Sequence, residues 1–207
     1  MSIHEAENIM PKPEGPRTIR LPTNEEARLA FEEYTTALGK VVYAWNYLHE
    51  KLALLLVAVT DIDHRDVLLI KWHKLRDDGK QRRILTDAVK EANWTNIPTA
   101  KEHLLWLLDR TNSLAEDRND AVHAPTSLLI GSDPDKDHVM GAAFLSSHPR
   151  AKRLEGKVLL AEFAWCERCA EDLSVFAKQL EAAIRSPQHY PLPERPVLPS
   201  RPEGESG

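Results

Sequence analysis

The chain has 207 residues and a mass of 23.5 kDa, the size of one ordinary domain with tails and too short for a multidomain machine. Its 42% hydrophobic and 29% charged residues can build a sizeable core and exclude collagen-like, mucin-like and disulfide-scaffold compositions. A net charge of -5 and a pI near 6.0 weigh against coating nucleic acid through bulk positive charge and leave only local patches for that purpose.

Ten of the fourteen prolines flank residues 24–186. Segments of this kind bury too little apolar surface to offset their ordering entropy, so residues 1–23 and 187–207 are expected to be disordered tails around a helical-bundle domain spanning 24–186. The C-terminal stretch is Pro-rich and could also dock a partner. With two cysteines, no secretory leader pattern and no apolar run of about 18 residues, the expectation is a cytoplasmic protein that does not engage a membrane.

Thr23 and Glu26 form a capping box that opens the first helix. Behind it Ala27, Phe31, Tyr34, Leu38, Val41, Trp45, Leu48, Leu52, Leu55 and Val59 recur in steps of four and three, a heptad stripe that suits either the spine of a bundle or the seam of a dimer. Asp63 and Asp66 mark a second start, followed by Val67, Leu68, Ile70, Trp72 and Leu75. A break near Gly79 makes this one interrupted helix or two. Pro98, Thr99 and Glu102 signal a third long helix that stops at Pro125. Residues 126–160 suggest a small hairpin or irregular insertion. The last helix, about 161–185, carries Cys166, Cys169, Leu173, Phe176, Leu180 and Ala183 on one stripe. Four to five helices with short links predict an all-α bundle.

No Gly-rich phosphate loop, no metal-spaced histidine pair and no Gly-flanked nucleophilic serine is present, so no metal or other cofactor is expected. Cys166 and Cys169 lack the second pair a structural zinc site needs and fall on an apolar stripe, which predicts core packing. The basic clusters Lys71, Lys74 and Arg76, then Lys80, Arg82 and Arg83, then Arg150, Lys152 and Arg153 read as solvated helix faces. His49 follows Trp45 by four and points toward the same groove, either as a satisfied histidine or in support of a site.

The informative segment runs from Leu114 to Pro125. At about 100° per residue Asn119 and His123 stack, while Arg118 lies about 140° from His123 and can bridge the gap with its long stem. Arg118 is in register with Leu104, Leu107, Leu114 and Val122, so its charge must meet a partner, a cleft or a second chain. Two readings are open: a phosphate-handling site, or an ion-pair network of Arg118, Asp117 and Asp120 closing the helix with His123 as its cap.

Arg118, Asn119 and His123 resemble the signature of the HEPN superfamily, an Arg followed after four to six residues by His, often with a polar residue directly after the Arg. The resemblance is close over 114–125 and loose over the rest. It implies an up-and-down HEPN-like bundle, commonly dimeric, acting as a metal-independent endoribonuclease in toxin–antitoxin, defence or RNA-processing systems. Arg118, His123 and Asn119 would then be catalytic, with Asp117, Asp120 and His49 in support, and the partners would be a second copy, RNA or nucleotide, and an antitoxin or other protein. One chain offers one such His, so a two-sided acid/base mechanism is easiest where two motifs meet across a dimer axis. One HEPN subclass has Tyr two positions after the His; Pro125 stands here, so control through that tyrosine is not expected. The alternative is a non-catalytic helical interaction or nucleotide-sensing module.

Overall fold

The computed structural model describes residues 25–60, 64–124, 126–129, 139–142 and 148–203. The described chain is an all-α bundle with one small ribbon. Its helices are α1 (Glu25–Val59), α2 (Arg65–His73), α3 (Asp78–Glu91), α4 (Pro98–His123), α5 (Pro149–Leu154) and α6 (Leu159–Arg185). Between α4 and α5, β1 (Thr126–Leu129) and β2 (Val139–Ala142) pair antiparallel, with Thr126 opposite Ala142 and Leu129 opposite Val139. Of the hairpin or irregular insertion expected over 126–160, the hairpin is present, but the same stretch also holds α5, so the described residues form six helices and not the four to five expected.

Helix α1 packs chiefly against α6, α4 also lies on α6, and α3 bridges α1 and α4. The long apolar stripe of α1 supplies one wall of this core: Tyr34, Val41, Trp45, Leu48, Leu52 and Leu55 are all buried within the single chain. They meet Leu85 of α3, Leu104 and Leu107 of α4, and Phe163, Leu173, Phe176 and Leu180 of α6 in one cluster. The stripe is thus the bundle's spine, its buried residues covered by neighbouring helices of the same chain. Cys166 and Cys169 are free thiols in the same cluster. Burial pushes them up to about 12 and about 11 respectively, so neither is a thiolate at neutral pH.

The helix boundaries follow local chemistry. Thr23, the residue expected to cap α1, lies outside the described residues, as does Asp63. The break between α2 and α3 falls over residues 74–77, before Gly79: Asp77 caps α3 by accepting from the backbone N–H groups of Gly79 and Lys80 at 2.8 and 3.3 Å. Helix α4 starts on Pro98, whose missing N–H costs nothing at a first-turn position, and Ile97 precedes it with no side-chain cap. The Thr99–Glu102 capping signal is accordingly not used, since Thr99 is already inside the helix.

The C-terminal stretch departs from the expected loose tail. Residues 187–203 carry no helix or strand, yet Leu192 and Leu198 pack against the core and the Pro199 carbonyl accepts from the Trp165 indole N–H at 2.9 Å. Arg201 lies over the Trp165 ring, reaches Asp117 at 2.8 Å and holds the buried Glu162 at 2.7 Å. A proline-rich segment has little backbone freedom to lose on docking, and a buried carboxylate needs a cation.

Candidate functional site

A cleft of about 640 Å³ opens between the middle of α1, the α2–α3 junction and the C-terminal end of α4. Trp45 and His49 come from α1, Asp78 and Gln81 from α3, and Arg118, Asn119 and His123 from α4. The three motif residues and His49 therefore share one cavity. His123 is exposed on its wall, whereas Arg118 and Asn119 are half-buried.

A chain of hydrogen bonds runs inward from the cleft wall. The Gln81 amide Nε2 donates to the carbonyls of Trp72 and Leu75 at 3.2 and 3.4 Å. That orientation turns its Oε1 toward His49 Nδ1 at 2.9 Å, which makes Nδ1 the protonated ring nitrogen. His49 Nε2 then accepts from Arg82 Nη1 at 3.3 Å, and Arg82 Nε donates to Asn112 Oδ1 at 2.7 Å. Both nitrogens of His49 are engaged within the protein. Burial drives its pKa down to about 4, with Arg82 adding to the effect and Gln81 opposing it, so the ring is neutral at physiological pH. This histidine ties α1, α3 and α4 together and has no lone pair left for a substrate.

Arg82 corrects the reading of the basic clusters as solvated faces: it is 7% exposed. Its partners are Asp78, at 3.5 Å, and the Trp45 ring, 5.5 Å from Cζ. Asp78 also accepts from the Trp45 indole N–H at 3.1 Å. Burial raises the Asp78 carboxyl, but Arg82, His49 and the indole together hold it below its ordinary value. Arg82 was detectable in sequence by the argument applied to Arg118, since it is in helical register with Leu85 and Val89 on the buried face of α3.

Arg118 is placed differently. Its Cζ stands 5.7 Å from the Trp45 ring centroid, and its Nη1 donates to Asn119 Oδ1 at 3.0 Å. Its Nε is shielded from solvent and has no hydrogen-bond partner among the described residues. Burial lowers its pKa, Asp78 partly offsetting this, yet a guanidinium stays charged. The carboxylates on the cleft wall are otherwise occupied: Asp77 caps α3, Asp78 serves Trp45 and Arg82, and Glu50 faces His73 at 3.8 Å. The cleft thus presents a stacked cation with donor capacity to spare, a carboxamide beside it and an exposed imidazole.

Asp117 and Asp120, expected to support the motif, do not. Asp117 turns to Arg201 at 2.8 Å, and Asp120, 5% exposed, takes both the Nε and Nη2 of Arg153. Successive helical residues point about 100° apart, which sends these flanking carboxylates to other faces of α4. The ion-pair network proposed for Arg118, Asp117 and Asp120 is therefore absent, and the helix ends on Ala124 rather than under a histidine cap.

Among the described residues no three His, Cys, Asp or Glu side chains converge as a metal-ligand set, and no helix is long and apolar enough to cross a membrane. Compared with protein-family models, curated proteins and solved structures, the chain finds no match.

Proposed function

We propose that this protein is a HEPN-like endoribonuclease that cleaves RNA in the α1–α4 cleft without requiring a metal, as a toxin or as a defence or RNA-processing factor. The observation that carries the reading is the state of Arg118: a cation over the Trp45 ring, shielded at Nε and in no ion-pair contact with a carboxylate among the described residues, on the cleft that His123 also lines. Such a fork suits a phosphodiester, whose oxygens accept two parallel N–H bonds. In the reaction the 2′-hydroxyl attacks phosphorus, a base takes its proton, the bond to the 5′-oxygen breaks and an acid protonates that oxygen. Arg118 stabilises the crowded phosphorane, Asn119 holds the guanidinium, and His123 transfers a proton. With His49 locked in its hydrogen-bond chain, the second imidazole is either His73, which lines the same cleft, or the His123 of a second copy, and a homodimer that joins two motifs is the arrangement adopted in this reading.

The test is cleavage of structured RNA in the presence of chelator. Cleavage that persists in chelator and is lost in both His123→Ala and Arg118→Ala, at unchanged melting temperature, supports the nuclease. Equal cleavage by both variants and the parent points to contamination and sinks it. A strictly monomeric sedimentation profile with retained activity removes the dimer. A non-catalytic helical interaction module is the second reading, favoured by the acidic side chains Glu50, Asp77 and Asp78 on the cleft wall, which repel a polyanion, and a parent chain that neither binds nor cleaves RNA would favour it.

A further inference from the structure

Beside the cleft, α1 carries a second stripe that the core does not use. Tyr43 and Tyr47 are 73% and 43% exposed. Their rings are nearly parallel, 11° apart in plane, with centroids 6.5 Å apart. Among the described residues the buried core is formed without these two rings. The cations Lys40 and Lys51 bracket them at helical spacing, and Lys51 Nζ stands 4.3 Å over the Tyr47 ring. Asn46 and Glu50, the next residues round the helix, already line the cleft. A strand leaving the cleft over this edge of α1 meets the tyrosines at once.

We infer that Tyr43 and Tyr47 form a stacking platform for bases of single-stranded RNA, with Lys40 and Lys51 meeting the phosphates on either side. The platform serves the RNA site proposed above and rests on that reading. Its chemistry selects an anionic strand with planar groups: Tyr43, the more exposed ring, offers a π-face to a base, Tyr47 backs it with Lys51 over its own ring, and the ammonium groups neutralise the backbone. Stacking of this kind needs unpaired bases, so the substrate class is single-stranded or looped RNA, whereas a duplex keeps its π-faces to itself.

The experiment measures binding separately from cleavage. A short fluorescent oligouridylate with 2′-O-methyl groups lacks the attacking hydroxyl, and its affinity for the full chain is read by anisotropy. The Tyr43→Ala/Tyr47→Ala double variant should bind about ten- to a hundredfold more weakly at an unchanged melting temperature. A ribose-phosphate oligomer without bases should bind parent and variant alike. Equal oligouridylate affinity in parent and double variant, or no binding by the parent, overturns the platform. So does a dimer in sedimentation that dissociates in the double variant, because that assigns the tyrosines to contact between copies. Tyrosine-dependent binding with no cleavage of unmodified RNA sinks the nuclease reading and leaves the platform standing. Cleavage that continues at unchanged affinity in the double variant does the reverse.

Discussion

The guanidinium of Arg118 on α4 stands over the indole of Trp45 on α1, its Cζ 5.7 Å from the ring centroid. The contact holds the guanidinium against the indole while its Nη1 donates to Asn119 Oδ1 at 3.0 Å, and it depends on shape as much as on charge. Arg118→Lys keeps the charge but loses both the stack and the fork. Single-turnover cleavage should fall about 10²-fold or more, with the melting temperature within a few degrees of the parent; full activity in the lysine variant would show that a point charge suffices.

His49 makes stability depend on pH. In the unfolded chain its pKa is about 6.5, and in the fold it is about 4, so between those values the unfolded state binds the extra proton. The stabilisation is therefore present above about pH 6.5 and is lost as the pH falls toward 4, amounting to about 3 kcal/mol across that window. Urea denaturation at a series of pH values reads this directly. In His49→Gln, which does not titrate, the slope between pH 6.5 and 4.5 should flatten.

Arg201 couples the C-terminal segment to the bundle through the buried Glu162 and through Asp117. Arg201→Ala leaves Glu162 with Lys157 at 3.7 Å as its remaining cation, and stability should drop by about 2 kcal/mol, less than for a wholly orphaned carboxylate. Truncation after Ser186 should cost at least as much, because the Leu192 and Leu198 contacts go as well. A truncated chain as stable as the parent would show the docking to be energetically idle.

Gly39 lies within α1, is exposed, and a Cβ built there meets nothing within 4 Å. Its backbone is not in the left-handed region. Gly39→Ala should therefore stabilise the protein by about 0.5–1 kcal/mol, measured as a rise in denaturation midpoint at constant m-value. Gly79 is the contrast: a Cβ there would sit 3.1 Å from the Asp77 oxygen that caps α3.

How much was legible in the chain depends on the range over which each signal acts. Helical periodicity is local, so the long helices, the burial of Cys166 and Cys169 and the common face of Asn119 and His123 could be read residue by residue. Register alone also said that Arg118 must enter a cleft or meet a partner, and the same rule applied to Arg82 reveals its burial on α3. What register cannot say is which distant group satisfies such a charge. Whether Asp117 and Asp120 serve Arg118 or turn to Arg201 and Arg153, whether His49 is free or locked between Gln81 and Arg82, and whether a proline-rich end lies on the bundle all depend on partners supplied by other helices. Those pairings exist only after α1, α3, α4 and α6 have packed, because a buried polar group takes the nearest complementary atom in space, and proximity in space is a property of the packed bundle.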